Sequence, residues 1–175
     1  APLYLEKLEK QFSLPVTHTV IPAGEEHKQL STVEGIYHDL LAAGMTRKDL
    51  IIALGGGVVG DITGFAAATF LRGVSLCQIP TTLLAQVDSS VGGKTGVDFM
   101  QYKNMVGAFY QPKLVYMNLN VLKTLPKDQL ISGFGEILKH GLIRNHDYFL
   151  WMNEHEKEIL ALDYNTLEEM VYQSC

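Results

Sequence analysis

The sequence predicts an α/β protein with a Rossmann-like parallel sheet and flanking helices, followed by the start of an all-helical domain. A short, wholly apolar run at 50–54 and a mostly apolar stretch at 74–79 are typical of parallel strands covered on both faces. The segment between them, 58–70, has the pattern of a small-residue helix, and strand, crossover helix, strand is the repeat of a parallel sheet. From residue 126 onward the helical pattern continues without a strand signal, so we predict a domain boundary near Leu125.

The other elements follow from the same patterns. Apolar residues at helical spacing predict a helix over 3–11, and β-branched alternation predicts a strand over 16–21. A second amphipathic helix is predicted over 31–43. Residues 81–113 show little pattern of regular structure, and a connection of that length is more often functional than idle. The remaining predictions are a strand over 114–117 and helices over 127–143, 148–159 and 166–174.

Composition limits the classes of function. The 175 residues, 47% of them hydrophobic, can bury the core of one domain or slightly more. A net charge of -5 gives no basic field for nucleic acid or an anionic membrane, and no window is apolar enough to span a bilayer. Cys77 and Cys175 form no disulfide pattern. We therefore predict a cytoplasmic protein without nucleic-acid or membrane partners.

A glycine-rich turn follows the first apolar run and opens the helix after it. Its glycines fit a dinucleotide-binding pattern, in which backbone N–H groups meet a pyrophosphate, although tight strand-to-helix turns favour glycine in any case. The acid expected about 20 residues further on to hold a ribose is missing from 74–82. Glu25 and Lys28 could replace it, or they belong to a solvated turn. The glycines are Gly55, Gly57 and Gly60.

The segment 88–96 is rich in hydroxyl groups and glycines and carries Lys94, a composition that can surround a phosphate. It is not a P-loop, because Asp88 stands where the first glycine is required. Lys103 with Asn104, and Arg72, add two further cations. Each cation alone is more often a surface charge, but together they suggest an anion pocket.

Glu136 and His140 stand four residues apart on a predicted helix and therefore share a face. Such a pair could chelate a metal, although neighbouring Glu and His at this spacing are usually only neighbours. The other five histidines show no metal-ligand spacing. One carboxylate cannot hold a catalytic metal alone.

These motifs, taken in order, resemble the 3-dehydroquinate synthase family of the sugar-phosphate cyclase superfamily. The resemblance rests on Gly-Gly-Gly-x-x-Gly-Asp at 55–61, the run from Pro80 to Ser90, Gly-Gly-Lys at 92–94 and Glu-x-x-Lys at 136–139. It implies an enzyme that requires NAD and zinc or cobalt and converts 3-deoxy-D-arabino-heptulosonate 7-phosphate (DAHP) into 3-dehydroquinate and phosphate in the shikimate pathway. In that reaction NAD transiently oxidises a ring hydroxyl, phosphate leaves, the ketone is reduced again and an aldol step closes the ring.

The resemblance also implies roles for individual residues. Glu136 matches a zinc ligand, and Arg72 matches an arginine that reaches the phosphate in the partner subunit of a homodimer. The residues that match substrate positions are Asp88, Lys94, Asn104 and Lys139. The residues that match NAD contacts are Glu25, Lys28, Gly57, Val58, Val59, Gly60, Asp61, Thr81, Thr82, Lys94, Lys103, Val121, Leu122, Lys123 and Thr124.

The family's pattern extends past both ends of this chain. Its two zinc-binding histidines and several substrate-binding basic residues correspond to sequence beyond Cys175, and its first strands to sequence before Ala1. We therefore expect residues 1–125 to be an incomplete NAD-binding domain and 126–175 the start of a metal and substrate domain. Since catalytic zinc takes about three protein ligands, we expect the chain alone to be inactive and to bind zinc weakly.

Three alternatives remain open from the sequence. A related sugar-phosphate cyclase could use the same scaffold for another substrate. Polyol or iron-type alcohol dehydrogenases share the architecture but have no need for the motif at 88–94. A non-catalytic fragment that binds NAD or serves assembly is the third.

Overall fold

The computed structural model describes residues 3–175, which form a three-stranded parallel sheet, a β-hairpin and a helical region. The helices are α1 (Leu5–Glu9), α2 (Leu30–Ala42), α3 (Gly57–Thr69), α4 (Lys127–Arg144), α5 (His146–Glu154), α6 (Glu156–Leu160) and α7 (Tyr164–Ser174). The strands are β1 (Leu50–Gly55), β2 (Ser75–Pro80), β3 (Lys94–Phe99), β4 (Tyr102–Phe109) and β5 (Leu114–Val115).

The parallel sheet has the strand order β1-β2-β5, which confirms the predicted α/β class. Strands β1 and β2 are in register from Leu50 opposite Ser75 to Gly55 opposite Pro80. Helix α3 makes the crossover between them and buries Ile62 and Ala66 completely. Because parallel strands end at the same edge of a sheet, the turn after β1 and the segment after β2 lie side by side.

The prediction of little regular structure over 81–113 is wrong. A π-helical turn covers Ala85–Ser89, and β3 and β4 form an antiparallel hairpin. Gly96 and Gly107 face each other across the hairpin, and a Cβ on Gly107 would lie 2.2 Å from the backbone oxygen of Thr95. Glycines at such a close approach interrupt the apolar alternation by which a strand is recognised in sequence.

The prediction of a strand over 16–21 is also wrong. The segment has no regular secondary structure and joins neither sheet in the part of the chain that the structure describes. Val16 and Val20 are exposed, and Thr19 donates to Asp39 Oδ2 at 2.5 Å. β-Branched residues favour extended backbone, but a strand also needs a neighbour with which to pair.

The helical region follows a 3₁₀ segment, Leu119–Thr124, and its four helices share one apolar core. The helix predicted over 148–159 is broken at His155 into α5 and α6. The core continues across the predicted boundary at Leu125, because Leu83 and Val87 pack with Ile137. The boundary itself stays a prediction. Among residues 3–175, no helix has the length and apolar character to cross a membrane.

Candidate functional site

The glycine-rich turn joins the end of β1 to the start of α3. A Cβ on Gly56 would lie 3.1 Å from Thr82 Cγ2, and one on Gly57 would lie 2.9 Å from Ser89 Oγ. The Thr81 N–H donates to the backbone oxygen of Gly55 at 2.8 Å. Glycine therefore lets this turn pack closely against the segment that follows β2. The candidate residues in the turn, Gly57, Val58, Val59 and Gly60, form the N-terminus of α3. The Gly60 N–H donates to the backbone oxygen of Gly56 at 3.0 Å, and the N–H groups of the three residues before it are oriented to meet an anion.

Two predicted site residues from different segments, Asp61 and Asn104, contact a third, the buried Lys28. Lys28 is 5% exposed, and its Nζ lies 2.6 Å from Asp61 Oδ2. The same ammonium donates to Asn104 Oδ1 at 2.5 Å. Burial raises the pKa of Asp61, and the hydrogen bond and charge of Lys28 oppose this rise. The contacts join α3, the segment before α2 and the β3–β4 hairpin at one point.

A second ion pair lies at the edge of this cluster. Lys103 Nζ is 3.4 Å from Glu25 Oε1, and both side chains are largely exposed. Exposed pairs of this kind contribute about 0–1 kcal/mol to stability. Glu25 and Lys103 are therefore more accessible to a ligand than Lys28 and Asp61.

The hairpin separates two of the predicted cations. Lys94 is paired with Phe109 at one end of the ladder, whereas Lys103 lies near the turn at the other end. Six residues of strand span roughly 20 Å, so one phosphate does not bridge these two positions along the strand. Arg72 is exposed in a separate turn and has a positive φ of 64°. The structure does not gather these cations into the single anion pocket that composition suggests.

The candidate segment 121–124 lies beside α1 and the end of β2. Tyr4 hydroxyl donates to the backbone oxygen of Val121 at 3.3 Å and contacts Thr124 Oγ1. Thr81 lines the same cleft of about 170 Å³. Within the segment, Leu122 is completely buried in the helical core, while Lys123 is exposed. Thr82 does not face this cleft, since its hydroxyl accepts the Ala85 N–H at 3.1 Å.

A larger cleft of about 550 Å³ lies between α4 and the C-terminal helix α7. Asp88, Glu136, Lys139 and His140 all line it, so the helix turns these side chains toward the loop that carries Asp88, as the spacing predicts. Glu136 Oε1 pairs with Lys139 and lies 3.3 Å from His140 Nε2. The hydrogen bond from Lys139 lowers the pKa of Glu136 and in return raises the pKa of Lys139.

Several residues of this cleft were not identified from the sequence. Tyr148 is buried, donates to the backbone oxygen of Met170 at 2.7 Å, and contacts Ser174 Oγ at 2.9 Å. Burial raises the pKa of Tyr148 to about 12. Of these residues only Arg144 was detectable, because it continues the helical spacing of Glu136 and His140. The remaining lining residues are Ile143, Asn145, Gln173 and Cys175.

The donor set around Glu136 is small. Among residues 3–175, no group of three or more His, Cys, Asp or Glu side chains is placed to hold a metal ion. His140 Nδ1 is buried without a hydrogen-bond partner in the described structure. Glu136 therefore offers one charged carboxylate at the wall of an open cleft.

Residues 18–132 match the family model described as 3-dehydroquinate synthase N-terminal. The chain belongs to the 3-dehydroquinate synthase family. It is 51% identical over 162 residues to the 3-dehydroquinate synthase of Ruminiclostridium cellulolyticum, covering 93% of this chain and 45% of the relative. It is 53% identical over 173 residues to that of Acetivibrio thermocellus, covering 97% and 48%. The chain thus spans about half the length of the curated relatives it matches.

Solved structures agree with this assignment. The 2-epi-5-epi-valiolone synthase of Streptomyces hygroscopicus, solved with NAD⁺ and Zn²⁺ bound, matches with a TM-score of 0.93 and 30% identity over 99% of this chain and half of that chain. A 2-deoxy-scyllo-inosose synthase, solved with carbaglucose-6-phosphate, NAD⁺ and Co²⁺, matches with a TM-score of 0.67 and 39% identity over 69% of this chain and 33% of its own. A glycerol dehydrogenase from Schizosaccharomyces pombe, 20% identical with a TM-score of 0.62 over 81% and 34%, shares the fold alone.

Proposed function

We propose that this chain forms the nucleotide-binding part and one wall of the substrate cleft of a 3-dehydroquinate synthase. The natural polypeptide would convert DAHP into 3-dehydroquinate and phosphate in the shikimate pathway. The observation that carries the proposal is the Lys28–Asp61–Asn104 cluster beside the glycine turn, in a chain of this family. Lys28 is buried and Asp61 is partly buried with its pKa raised by burial, and charged groups with shifted pKa values cluster at functional sites, which supports the proposal.

The residues around the glycine turn fit NAD. The N-terminus of α3 offers free N–H groups, and a side chain at Gly57 would fill the space beside Ser89. Glu25 and Lys28 would hold a ribose, and the roughly 20 Å between Lys94 and Lys103 along the hairpin suits a long ligand such as a dinucleotide. Thr81 and the segment 121–124 would bind its other end. NAD would supply a hydride acceptor for a substrate hydroxyl.

The cleft between α4 and α7 would hold the substrate. Lys139 carries a positive charge that Glu136 stabilises, so it suits the carboxylate or phosphate of DAHP. Asp88 lines the same cleft as Lys139 and would accept a proton from a substrate hydroxyl. From the hairpin, Asn104 would contact the substrate, whereas Lys94, toward the opposite end of the ladder, would contact a different part of the bound ligands.

Glu136 would contribute one ligand to a zinc or cobalt ion. The described residues do not form a full ligand set, since catalytic zinc takes about three protein ligands. Further ligands would have to come from outside residues 3–175, in accord with relatives about twice as long. We propose no reaction step through the metal on the basis of Glu136 alone.

We also propose a homodimer in the cytoplasm. The turn at Arg72, with Leu71 and Arg72 both at positive φ, exposes a cation that lines neither of the two clefts and that would reach a partner subunit. Cys77 and Cys175 are both free thiols, which suits a reducing compartment.

A related sugar-phosphate cyclase is the second candidate, favoured by the TM-score of 0.93 to 2-epi-5-epi-valiolone synthase. The two candidates differ in the substrate that they accept. DAHP carries a carboxylate, so a phosphorylated heptulose without this group separates them.

The deciding experiment measures phosphate release from DAHP by the natural full-length polypeptide that contains this sequence. We expect release that depends on NAD⁺ and stops with a chelator, and a strong preference for DAHP over the heptulose without the carboxylate. Asp88→Asn should reduce turnover by about 100-fold or more, as general acid–base groups do. Asp128→Asn, in the exposed first turn of α4, is the matched control. Turnover of the heptulose but not of DAHP would favour the second candidate.

A further inference from the structure

Asp98 lies beside the site but has no role in the proposal so far. It sits in β3, where the register with β4 shifts between Val97 and Phe99. Its Oδ1 accepts the backbone N–H of Asn104 at 2.7 Å. Its own N–H donates to the backbone oxygen of Lys28 at 2.8 Å. One residue thus contacts both the hairpin end that carries Asn104 and the segment that carries Lys28.

The backbone of Asn104 needs this support. Its φ is +53°, in the left-handed region that asparagine tolerates better than most residues but that still costs energy. The carboxylate of Asp98 accepts the N–H that this conformation presents, and bonds to charged groups are stronger than neutral ones. The contact therefore fixes the direction in which the Asn104 side chain leaves the strand.

The three residues close a ring of hydrogen bonds. Asp98 holds the backbone of Asn104, the side chain of Asn104 accepts from Lys28 Nζ, and the backbone of Lys28 accepts from Asp98. From Lys28 the network continues to Asp61, the candidate residue in α3. In a closed ring, removing one bond loosens the other two.

We propose that Asp98 is a positioning residue that orients Lys28 and Asn104 together and so couples the nucleotide side of the site to the substrate side. The inference rests on the proposed function, because that function places Lys28 at the nucleotide and Asn104 at the substrate. The Asp98 carboxylate itself is expected to touch neither ligand.

The test uses Asp98→Ala and Asp98→Asn in the natural full-length polypeptide, with the Kd for NAD⁺, kcat and the KM for DAHP as readouts. We expect Asp98→Ala to weaken the binding of both NAD⁺ and DAHP. We also expect it to lower kcat by about 100-fold, the loss that a displacement of reacting groups by about 1 Å can cause. Asp98→Asn keeps an oxygen that can accept the Asn104 N–H and should restore most of the loss. Asp49→Ala is the matched control, because Asp49 Oδ2 accepts the Thr46 N–H at 2.7 Å in an exposed turn outside the site.

A second measurement reports on the ring of hydrogen bonds and does not depend on catalysis. Amide hydrogen exchange at Asn104 should quicken in Asp98→Ala and not in Asp98→Asn, whether or not DAHP is a substrate. In the Asn104→Ala background, Asp98→Ala should add little further loss of NAD⁺ affinity. Unchanged exchange at Asn104, or an Asp98→Asn variant as impaired as Asp98→Ala, overturns the positioning role. A wild-type polypeptide that releases no phosphate from DAHP overturns the proposed function instead.

Discussion

The lysine cluster around Lys28 and the carboxylate cluster around Glu136 are built differently. Lys28 is buried, and its charge is met by two residues that lie far away in the sequence, Asp61 and Asn104. Glu136 lies at the wall of an open cleft, and its charge is met by Lys139 and His140 from the next turn of the same helix.

The difference lies in how the described residues satisfy each charge. Long-range contacts of the buried Lys28 with the partly buried Asp61 and the exposed Asn104 hold this cluster in one geometry, because breaking the ion pair would leave a charge uncompensated. Local contacts along α4 neutralise Glu136 but leave its cleft open to further groups. Within residues 3–175, Lys28 is therefore paired on both sides, whereas the cleft at Glu136 leaves room for further groups.

The largest effect should come from breaking the buried cluster. Lys28→Met leaves Asp61 partly buried without its cation, and losing one partner of such a pair costs about 3 kcal/mol. For a chain of this size, that lowers Tm by roughly 6–12 °C in thermal denaturation followed by circular dichroism. Lys103→Met removes an exposed lysine from the pair with Glu25 and should change stability by less than about 0.5 kcal/mol. Equal losses in the two variants would show that burial does not distinguish these lysines.

A smaller effect should come from the packing of α4 against Leu83, which lies just before the π-helical turn. A Cβ on Gly133 would lie 2.6 Å from Leu83 Cβ, so Gly133→Ala overpacks this contact and costs about 1–3 kcal/mol. Gly135, two residues along the same helix, has open space, so Gly135→Ala should stabilise the fold by about 0.5–1 kcal/mol. Urea denaturation of both variants measures the difference. The same sign in both would contradict the packing described here.

A further effect should appear in the pH dependence of stability, through Tyr148 in the wall of the cleft beside Glu136. Tyr148 has its pKa raised by burial from 10.0 to about 12, so folding favours the neutral phenol. Its contribution to stability is full below pH 10 and is lost as pH rises from 10 toward 12. Urea denaturation across this range should show the loss, and Tyr148→Phe should remove that part of the pH dependence. Tyr172, which is 78% exposed, is the control for substitution to Phe.

The sequence predicted the parallel sheet and α4 well because their patterns are local. A wholly apolar run marks β1, a mostly apolar stretch marks β2, and helical spacing places Glu136, Lys139 and His140 on one face. It did not predict the β3–β4 hairpin, because the facing glycines Gly96 and Gly107 conceal the alternation.

The sequence also did not show how the site is assembled. The resemblance named Lys28, Asp61 and Asn104 separately, but only the fold brings these three together at one ammonium group. Asp98 was missed because its contribution is a bond to backbone at a register shift, and no side-chain motif records such a bond.

Zinc analysis of the purified 175-residue chain tests the contrast between the two clusters most directly. The chain is dialysed with Zn²⁺, then against buffer, and the retained metal is measured beside the Glu136→Gln variant. We expect far less than one zinc per chain in both, because Glu136 supplies one ligand and tight sites take about three. One zinc retained per chain, and lost in Glu136→Gln, would contradict the claim that this half of the site needs ligands from elsewhere.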